Sequence, residues 1–210
     1  MTGADRSAGS GSATPARQRI GIFGGTFDPI HLGHIELAES VRDALGLDRM
    51  LLVVANEPWQ KAGQPVTPGE DRYAMVAAAV VDRTGLEPSR IELDRGGPSY
   101  TIDTVRELRA SDPDAELVVV VGADVAAALD SWHEHEALRE LVTVAVADRP
   151  GSPDADPPDG WRFVRVPVQP VDVSSTELRA RLVAGESVEG AMSESVIRCL
   201  TERGLYGGER

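Results

Sequence analysis

The chain of 210 residues is short of aromatic side chains, of cysteine and of positive charge. Aromatic residues make up 4% of it, and Cys199 is the single cysteine, so no disulfide can form within one chain. Aspartate and glutamate outnumber lysine and arginine by 34 to 21, which gives a formal net charge of −13. Such an acidic surface argues against duplex nucleic acid or an anionic membrane as the main partner, because both need basic patches to displace counterions.

Long hydrophobic runs are also missing from the sequence. No stretch approaches the ~18 consecutive apolar residues that a helix needs to cross a bilayer. The first 18 residues are rich in glycine, serine, alanine and threonine but have no apolar centre, which predicts a disordered tail and not a signal peptide. We therefore expect residues 1–18 to form a tail, residues 19–207 to form one domain, and the location to be cytoplasmic.

The chain does contain a regular alternation of short apolar runs and helical patterns. The runs predicted as strands are Ile20–Phe23, Met50–Ala55, Ile91–Leu93, Leu117–Val121, Val142–Val146 and Phe163–Val168. Strands separated by helices are typical of βαβ units, and they predict an α/β class domain with a Rossmann-like, doubly wound parallel sheet. Ligands of such sheets bind beyond the carboxyl ends of the strands.

The first predicted strand runs into a glycine turn that is followed by two histidines. Gly24 and Gly25 let the backbone turn sharply and bring bare amides close to a ligand, because neither residue has a Cβ. The helix predicted from His34 to Leu45 would aim its positive end at the same place, which suits a phosphate. His31 and His34 can lie on one side of its first turn and donate to phosphate oxygens as charge builds during a transfer.

Two other interpretations of this segment stay open. A plain helix start, shaped by Asp28 and Pro29, would leave both histidines merely exposed. A metal pair made of His31 and His34 is the second alternative, although no cysteine cluster or nearby third histidine completes a ligand set.

A second segment with phosphate-binding character lies near the end of the chain. Ser174 and Glu177 fit a capping box, which predicts that a helix starts there. Capping accounts for those two residues only. The hydroxyls of Ser175 and Thr176, the free amides of the helix start, and Arg179 one turn inside would together hold a polyphosphate.

These two segments resemble the signature motifs of the nucleotidyltransferases related in fold to class I aminoacyl-tRNA synthetases. Gly24–His34 matches GGTFDPxHxGH, and Val173–Arg179 matches ISSTxxR with valine in place of isoleucine. Two shorter segments look similar to the same family: Gly122–Asp124 to its G-x-D, and Arg149–Gly151 to its RPG turn near the adenine. The resemblance implies attack on the α-phosphorus of ATP and release of pyrophosphate, with Mg²⁺ carried by ATP and no metal site of the protein's own.

The resemblance also implies roles for individual residues. His31, His34 and Arg179 would be catalytic. The implied ATP site consists of Gly24, Gly25, Thr26, Phe27, His31, His34, Asp124, Arg149, Ser174, Ser175, Thr176 and Arg179. Asp124 has a plain alternative, which is to cap the next helix.

Three further segments resemble those of the nicotinate-mononucleotide adenylyltransferases in particular. Pro98–Thr101 looks like the family's PSYT segment, where the backbone of Tyr100 and Thr101 would meet the pyridine carboxylate. Trp132 would stack on the pyridine ring. Asn56–Lys61 looks like the loop that closes over the mononucleotide, with Lys61 on its phosphate. The plain alternatives are a capped helix, a core tryptophan and a solvated lysine.

His133, next to Trp132, departs from the family, which often has tyrosine there; the departure weakens any role for this side chain. The resemblance runs from Arg19 to Tyr206. It implies adenylyl transfer from ATP to nicotinate mononucleotide, giving nicotinate adenine dinucleotide and pyrophosphate in NAD biosynthesis. Such a transfer needs no protein nucleophile, so catalysis would be placement and charge stabilisation.

Other functions and assemblies stay open at this point. An enzyme of the same superfamily with another acceptor, such as nicotinamide mononucleotide or phosphopantetheine, would use the same phosphate motifs. A binding module that keeps the fold without turnover would use them too. We expect ATP and nicotinate mononucleotide as partners, no nucleic acid and no membrane, and the sequence leaves a homo-oligomer open.

Overall fold

The computed structural model describes residues 17–58, 63, 65–148, 156–169 and 171–207. Two residues of the predicted site, Lys61 and Arg149, lie outside the described residues, and so do residues 1–16 of the predicted tail. Within the described part of the chain, no helix combines the length and the apolar character needed to span a membrane.

A six-stranded parallel sheet forms the centre of the domain. Its strands are β1 (Arg19–Gly25), β2 (Arg49–Val54), β3 (Leu86–Ser89), β4 (Glu116–Gly122), β5 (Thr143–Asp148) and β6 (Phe163–Pro167). They lie in the order β3-β2-β1-β4-β5-β6, so the chain winds outward from β1 on one side and from β4 on the other. This order confirms the predicted doubly wound sheet, and it places the switch point between β1 and β4, where ligands of such sheets bind.

Helices cover both faces of the sheet. They are α1 (Leu32–Leu45), α2 (Gly69–Val80), α3 (Ile91–Arg95), α4 (Thr101–Ser111), α5 (Ala123–Ala126), α6 (His135–Leu141), α7 (Ser175–Val183) and α8 (Glu194–Glu202), with 3₁₀ turns at Leu129–Ser131 and Leu205–Gly207. Successive side chains of a strand point to opposite faces. In β2, Leu52 therefore packs in the core under α1, α2, α7 and α8, whereas Leu51 packs in the core under α4, α5 and α6.

One predicted strand is wrong, and one predicted helix begins elsewhere. Ile91–Leu93 lies in helix α3, and the third strand is Leu86–Ser89. This strand contains a glutamate and a proline, which an edge strand tolerates because one side of its backbone needs no partner. It therefore shows no apolar run. Helix α1 begins at Leu32, two residues before the predicted start, because His31 is its N-cap.

Candidate active site

The glycine turn lies at the carboxyl end of β1, and its shape depends on Phe27. The Phe27 ring is 2% exposed and packs edge-on against Phe23 and His34, with ring centroids 5.6 and 5.2 Å apart. A Cβ at Gly25 would lie 2.7 Å from Phe27 Cζ, so only glycine fits there. Phe27 also holds a left-handed backbone with φ of 48°, a conformation that its packed surroundings must stabilise. The Phe27 side chain is thus part of the hydrophobic core, so any contact of this residue with a ligand would have to come from its backbone.

The two predicted catalytic histidines meet at the start of α1. Their rings stack with centroids 3.7 Å apart, and the His31 backbone N–H donates to His34 Nδ1 at 3.3 Å. Because Nδ1 of His34 is the acceptor, the proton of a neutral His34 ring sits on Nε2, the other nitrogen. His34 is half-buried, whereas His31 is 7% exposed. The N–H of a neutral His34 ring is therefore on Nε2, and the His31 ring stacks against this side chain.

The second phosphate segment docks on the loop that follows the glycine turn. Ser174 is the N-cap of α7 and accepts from the Glu177 N–H at 3.2 Å, which confirms the predicted helix start. The Ser175 hydroxyl donates to the Pro29 carbonyl at 2.9 Å, and Arg179 Nη1 donates to the Asp28 carbonyl at 2.6 Å. Segments 146 residues apart in sequence are thus joined directly. Ser174 and Thr176 are exposed beside this junction.

A cavity of about 220 Å³ opens where β1 and β4 end, at the switch point of the sheet. Its lining includes five predicted site residues: Gly24, Gly25, Thr26, Thr101 and Trp132. Pro58 and Ser99, which lie in the predicted acceptor segments, also line it, as do Glu92 and Val125, to which the sequence analysis gave no role. The cavity thus joins the predicted phosphate turn to the predicted acceptor segments.

Tyr100, Trp132 and His133 form one connected unit on the acceptor side. Tyr100 is the N-cap of α4 and stacks on the His133 ring, with centroids 4.2 Å apart. Arg106, further along α4, holds Glu134 through bonds of 3.1 and 2.6 Å, and this pairing lowers the pKa of the Glu134 carboxyl. Trp132 follows a 3₁₀ turn and is partly buried, with its Nε1 buried and unpaired. The 132–134 segment is therefore anchored to the start of α4.

Asn56 and Asp124 occupy different settings. Asn56 binds the segment before α4, since its backbone N–H donates to Ser99 Oγ at 2.8 Å and its Nδ2 to the Gly97 carbonyl at 2.9 Å. Asp124 lies exposed in the first turn of α5, whose N-cap is Gly122 and makes no side-chain bond. The N-cap position of α5 is thus held by Gly122 and not by Asp124.

Two further polar groups near the site were missed by the sequence analysis. Glu92 is buried in the cavity wall, where the Thr104 hydroxyl donates to it at 2.8 Å. The Tyr206 hydroxyl donates to Asp28 Oδ1 at 2.6 Å, and burial together with this bond raises the pKa of Tyr206. Nothing local marks either residue, because Glu92 lies in a segment predicted as a strand and Tyr206 lies 178 residues from Asp28.

Comparison with known proteins assigns the family. Residues 22–181 match the cytidylyltransferase-like family. A probable nicotinate-nucleotide adenylyltransferase of Streptomyces coelicolor is 42% identical, over 89% of this chain and 100% of its own. A probable nicotinate-nucleotide adenylyltransferase of Thermus thermophilus is 45% identical, over 90% of this chain and 99% of its own.

Solved structures agree on the fold. Nicotinic acid mononucleotide adenylyltransferase of Plasmodium falciparum, complexed with NaAD, superposes with a TM-score of 0.72 at 16% identity, over 92% of this chain and 99% of that one. A putative nicotinate-nucleotide adenylyltransferase from Vibrio parahaemolyticus superposes with a TM-score of 0.66 at 21% identity, over 92% of this chain and 97% of that one. Because the Streptomyces and Thermus relatives align with it over nearly their whole length, the chain belongs to the nicotinate-nucleotide adenylyltransferases of the cytidylyltransferase-like family.

Proposed function

We propose that this nucleotidyltransferase transfers the adenylyl group of MgATP to nicotinate mononucleotide, giving nicotinate adenine dinucleotide and pyrophosphate. The observation that carries the proposal is the docking of the α7 start on the loop after the glycine turn, beside the cavity that holds Trp132. This geometry supports a triphosphate site and an aromatic acceptor site that would lie next to each other at one edge of the sheet.

On the ATP side, amides of Gly24–Thr26 and the start of α1 would hold the phosphates, because backbone N–H groups at a helix start favour anions. His34 Nε2 would donate to the α-phosphate as charge builds on it, with His31 stacked behind. Ser174, Ser175, Thr176 and Arg179 would bind the outer phosphates. Asp124 would accept from a ribose hydroxyl, and Arg149 would lie near the adenine.

In the transfer, a phosphate oxygen of the mononucleotide forms a bond to the α-phosphorus. The bond from the α-phosphorus to the oxygen that bridges to the β-phosphorus breaks, and pyrophosphate leaves with that electron pair. No proton transfer to a protein base is needed, because the attacking oxygen is already ionised. The protein's contribution is alignment and charge stabilisation.

On the acceptor side, Trp132 would stack on the pyridine ring and backbone amides at Tyr100 and Thr101 would bind its carboxylate. The first amides of a helix have no partner inside the helix, so the start of α4 has such donors to offer. Lys61 and the Asn56 loop would bind the phosphate of the mononucleotide. His133 would act through its stack on Tyr100.

Enzymes of this kind typically use a divalent metal, and we propose Mg²⁺ brought in by the triphosphate. Mg²⁺ in nucleotide enzymes is bound largely through substrate phosphates and water. Among the described residues, no group of three or more histidine, cysteine, aspartate or glutamate side chains could hold a metal. The cytoplasmic location stays a prediction, and the oligomeric state stays open.

The test is pyrophosphate release with MgATP and one acceptor at a time: nicotinate mononucleotide, nicotinamide mononucleotide or phosphopantetheine. We expect the highest kcat/KM with nicotinate mononucleotide. A preference for phosphopantetheine would identify a different branch of the superfamily. ATP binding without release of pyrophosphate from ATP, whichever acceptor is present, would identify a binding module without turnover.

A further inference from the structure

Arg72, in the first turn of α2, is a buried cation whose side chain is bonded entirely to main-chain carbonyls. The residue is 1% exposed. Its Nε donates to the Thr67 carbonyl at 2.7 Å, its Nη1 to the Thr26 carbonyl at 2.9 Å and its Nη2 to the Asn56 carbonyl at 3.4 Å. All three guanidinium nitrogens are therefore committed to backbone.

The three carbonyls belong to three separate segments that meet only in the folded chain. Thr26 ends the glycine turn of the proposed triphosphate site. Asn56 begins the loop assigned to the mononucleotide, and Thr67 precedes α2. The planar fork of arginine has five N–H donors in fixed directions, so it sets the relative position of its acceptors more rigidly than lysine would.

The positive charge of Arg72 is balanced by Asp28, in the loop that follows the glycine turn. Burial lowers the pKa of Arg72, and the attraction of Asp28, which is 4% exposed, opposes that shift. Asp28 in turn accepts from Tyr206 and from the Thr67 N–H, the latter at 3.4 Å. Burying a charge is costly unless it is paired and hydrogen-bonded, so a purely space-filling side chain would not need this arrangement.

We propose that Arg72 is a positioning residue that holds the Gly24–Thr26 turn and the Asn56 loop in register, so that the attacking phosphate meets the α-phosphorus in line. The proposal rests on the proposed function, because it assigns the two segments to the two substrates. Misplacement by about 1 Å can cost on the order of 10²-fold in rate.

The first test is Arg72→Lys, assayed by pyrophosphate release well below its melting temperature. Lysine keeps the positive charge but cannot bind three carbonyls in fixed directions. We expect KM to rise for both ATP and nicotinate mononucleotide and kcat/KM to fall at least about tenfold for each. Arg109→Lys is the matched control, because Arg109 donates to the carbonyls of Pro113 and Leu141, neither of which lines the cavity. The kcat and KM values of this control variant should stay within about twofold of those of the wild type.

Three outcomes would overturn the proposal. In the first, kcat and both KM values of Arg72→Lys match those of the wild type. In the second, kcat falls only as far as the folded fraction falls and both KM values stay unchanged, and in the third, KM rises for one substrate alone. Wild-type turnover is measured first. If the wild-type chain releases no pyrophosphate, the proposed function fails; if it does and Arg72→Lys is unchanged, only the role of Arg72 fails.

A second measurement uses the wild-type chain and does not depend on the variant folding. Inorganic triphosphate fills the phosphate turn but carries no nucleoside that could cover the acceptor loop. If Arg72 couples the two segments, saturating triphosphate should slow hydrogen exchange of the Asn56 and Glu57 amides several-fold. Unchanged exchange there, with slowed exchange in Gly24–Thr26, would refute the coupling.

Discussion

His34 offers the sharpest test of the proposed chemistry, because its two ring nitrogens have different tasks. Nδ1 accepts from the N-cap amide of α1, whereas Nε2 is the donor assigned to the α-phosphate. The ring also packs edge-on against Phe27 and stacks on His31. Replacement by alanine would remove all of these contacts together. The loss of catalysis has to be separated from the loss of stability.

His34→Asn and His34→Gln make that separation. In the asparagine variant, the side-chain oxygen can take the place of Nδ1 and keep the bond to the His31 N–H. The asparagine side chain is too short to place a donor where Nε2 lies in the wild type. The longer side chain of the glutamine variant can place an amide donor near the Nε2 position. Loss of one preorganised donor costs about 10²–10³-fold in kcat, or roughly 2.7–4 kcal/mol. The helix-capping bond contributes only about 1 kcal/mol to stability.

We therefore expect His34→Asn to lose about two to three orders of magnitude in kcat while it stays folded. ATP affinity, measured by titration calorimetry, should change far less, because the bond strengthens as charge builds in the transition state. His34→Gln should retain more activity than His34→Asn. A His34→Asn variant whose kcat lies within a few-fold of wild type would refute the role of Nε2.

The remaining predictions address the acceptor site, alkaline stability and core packing. Trp132→Ala should raise KM for nicotinate mononucleotide several-fold, consistent with about 1 kcal/mol of stacking, and leave KM for ATP unchanged; the reverse pattern in steady-state kinetics would contradict the assignment. The raised pKa of Tyr206 means that its bond to Asp28 stabilises the fold at neutral pH, and that this contribution is lost as the pH rises above about 10. Tyr206→Phe should therefore lower the free energy of unfolding, measured in urea, by about 1–3 kcal/mol at pH 7. Above about pH 10 the free energy of unfolding of this variant should fall less steeply with pH than that of the wild type, and equal slopes for the two proteins would contradict the role of Tyr206. Gly21→Ala would place a Cβ 2.6 Å from Met50 Sδ and should cost about 1–3 kcal/mol in the same assay, with a loss below about 0.5 kcal/mol as the contrary result.

Much of the site could be predicted from the sequence because its signals are local. The glycine turn, the histidines three apart and the Ser174 cap each act through groups within one helical turn. Four strands, β1, β2, β4 and β5, could be predicted for the same reason, since a buried parallel strand is a short apolar run in any context. Strand β3 (Leu86–Ser89) could not be predicted, because it is an edge strand and shows no such apolar run.

The sequence by itself therefore determined that the chain forms a doubly wound sheet, and it singled out the segments that we propose bind phosphate. Only the tertiary structure decided how those segments are joined. Arg72 and Arg179 both donate to backbone carbonyls of the loop around the glycine turn. Every residue has a carbonyl, so no residue type in the sequence marks such an acceptor. The order of the strands brings these partners together across distances of 46 and 151 residues, which no local pattern records.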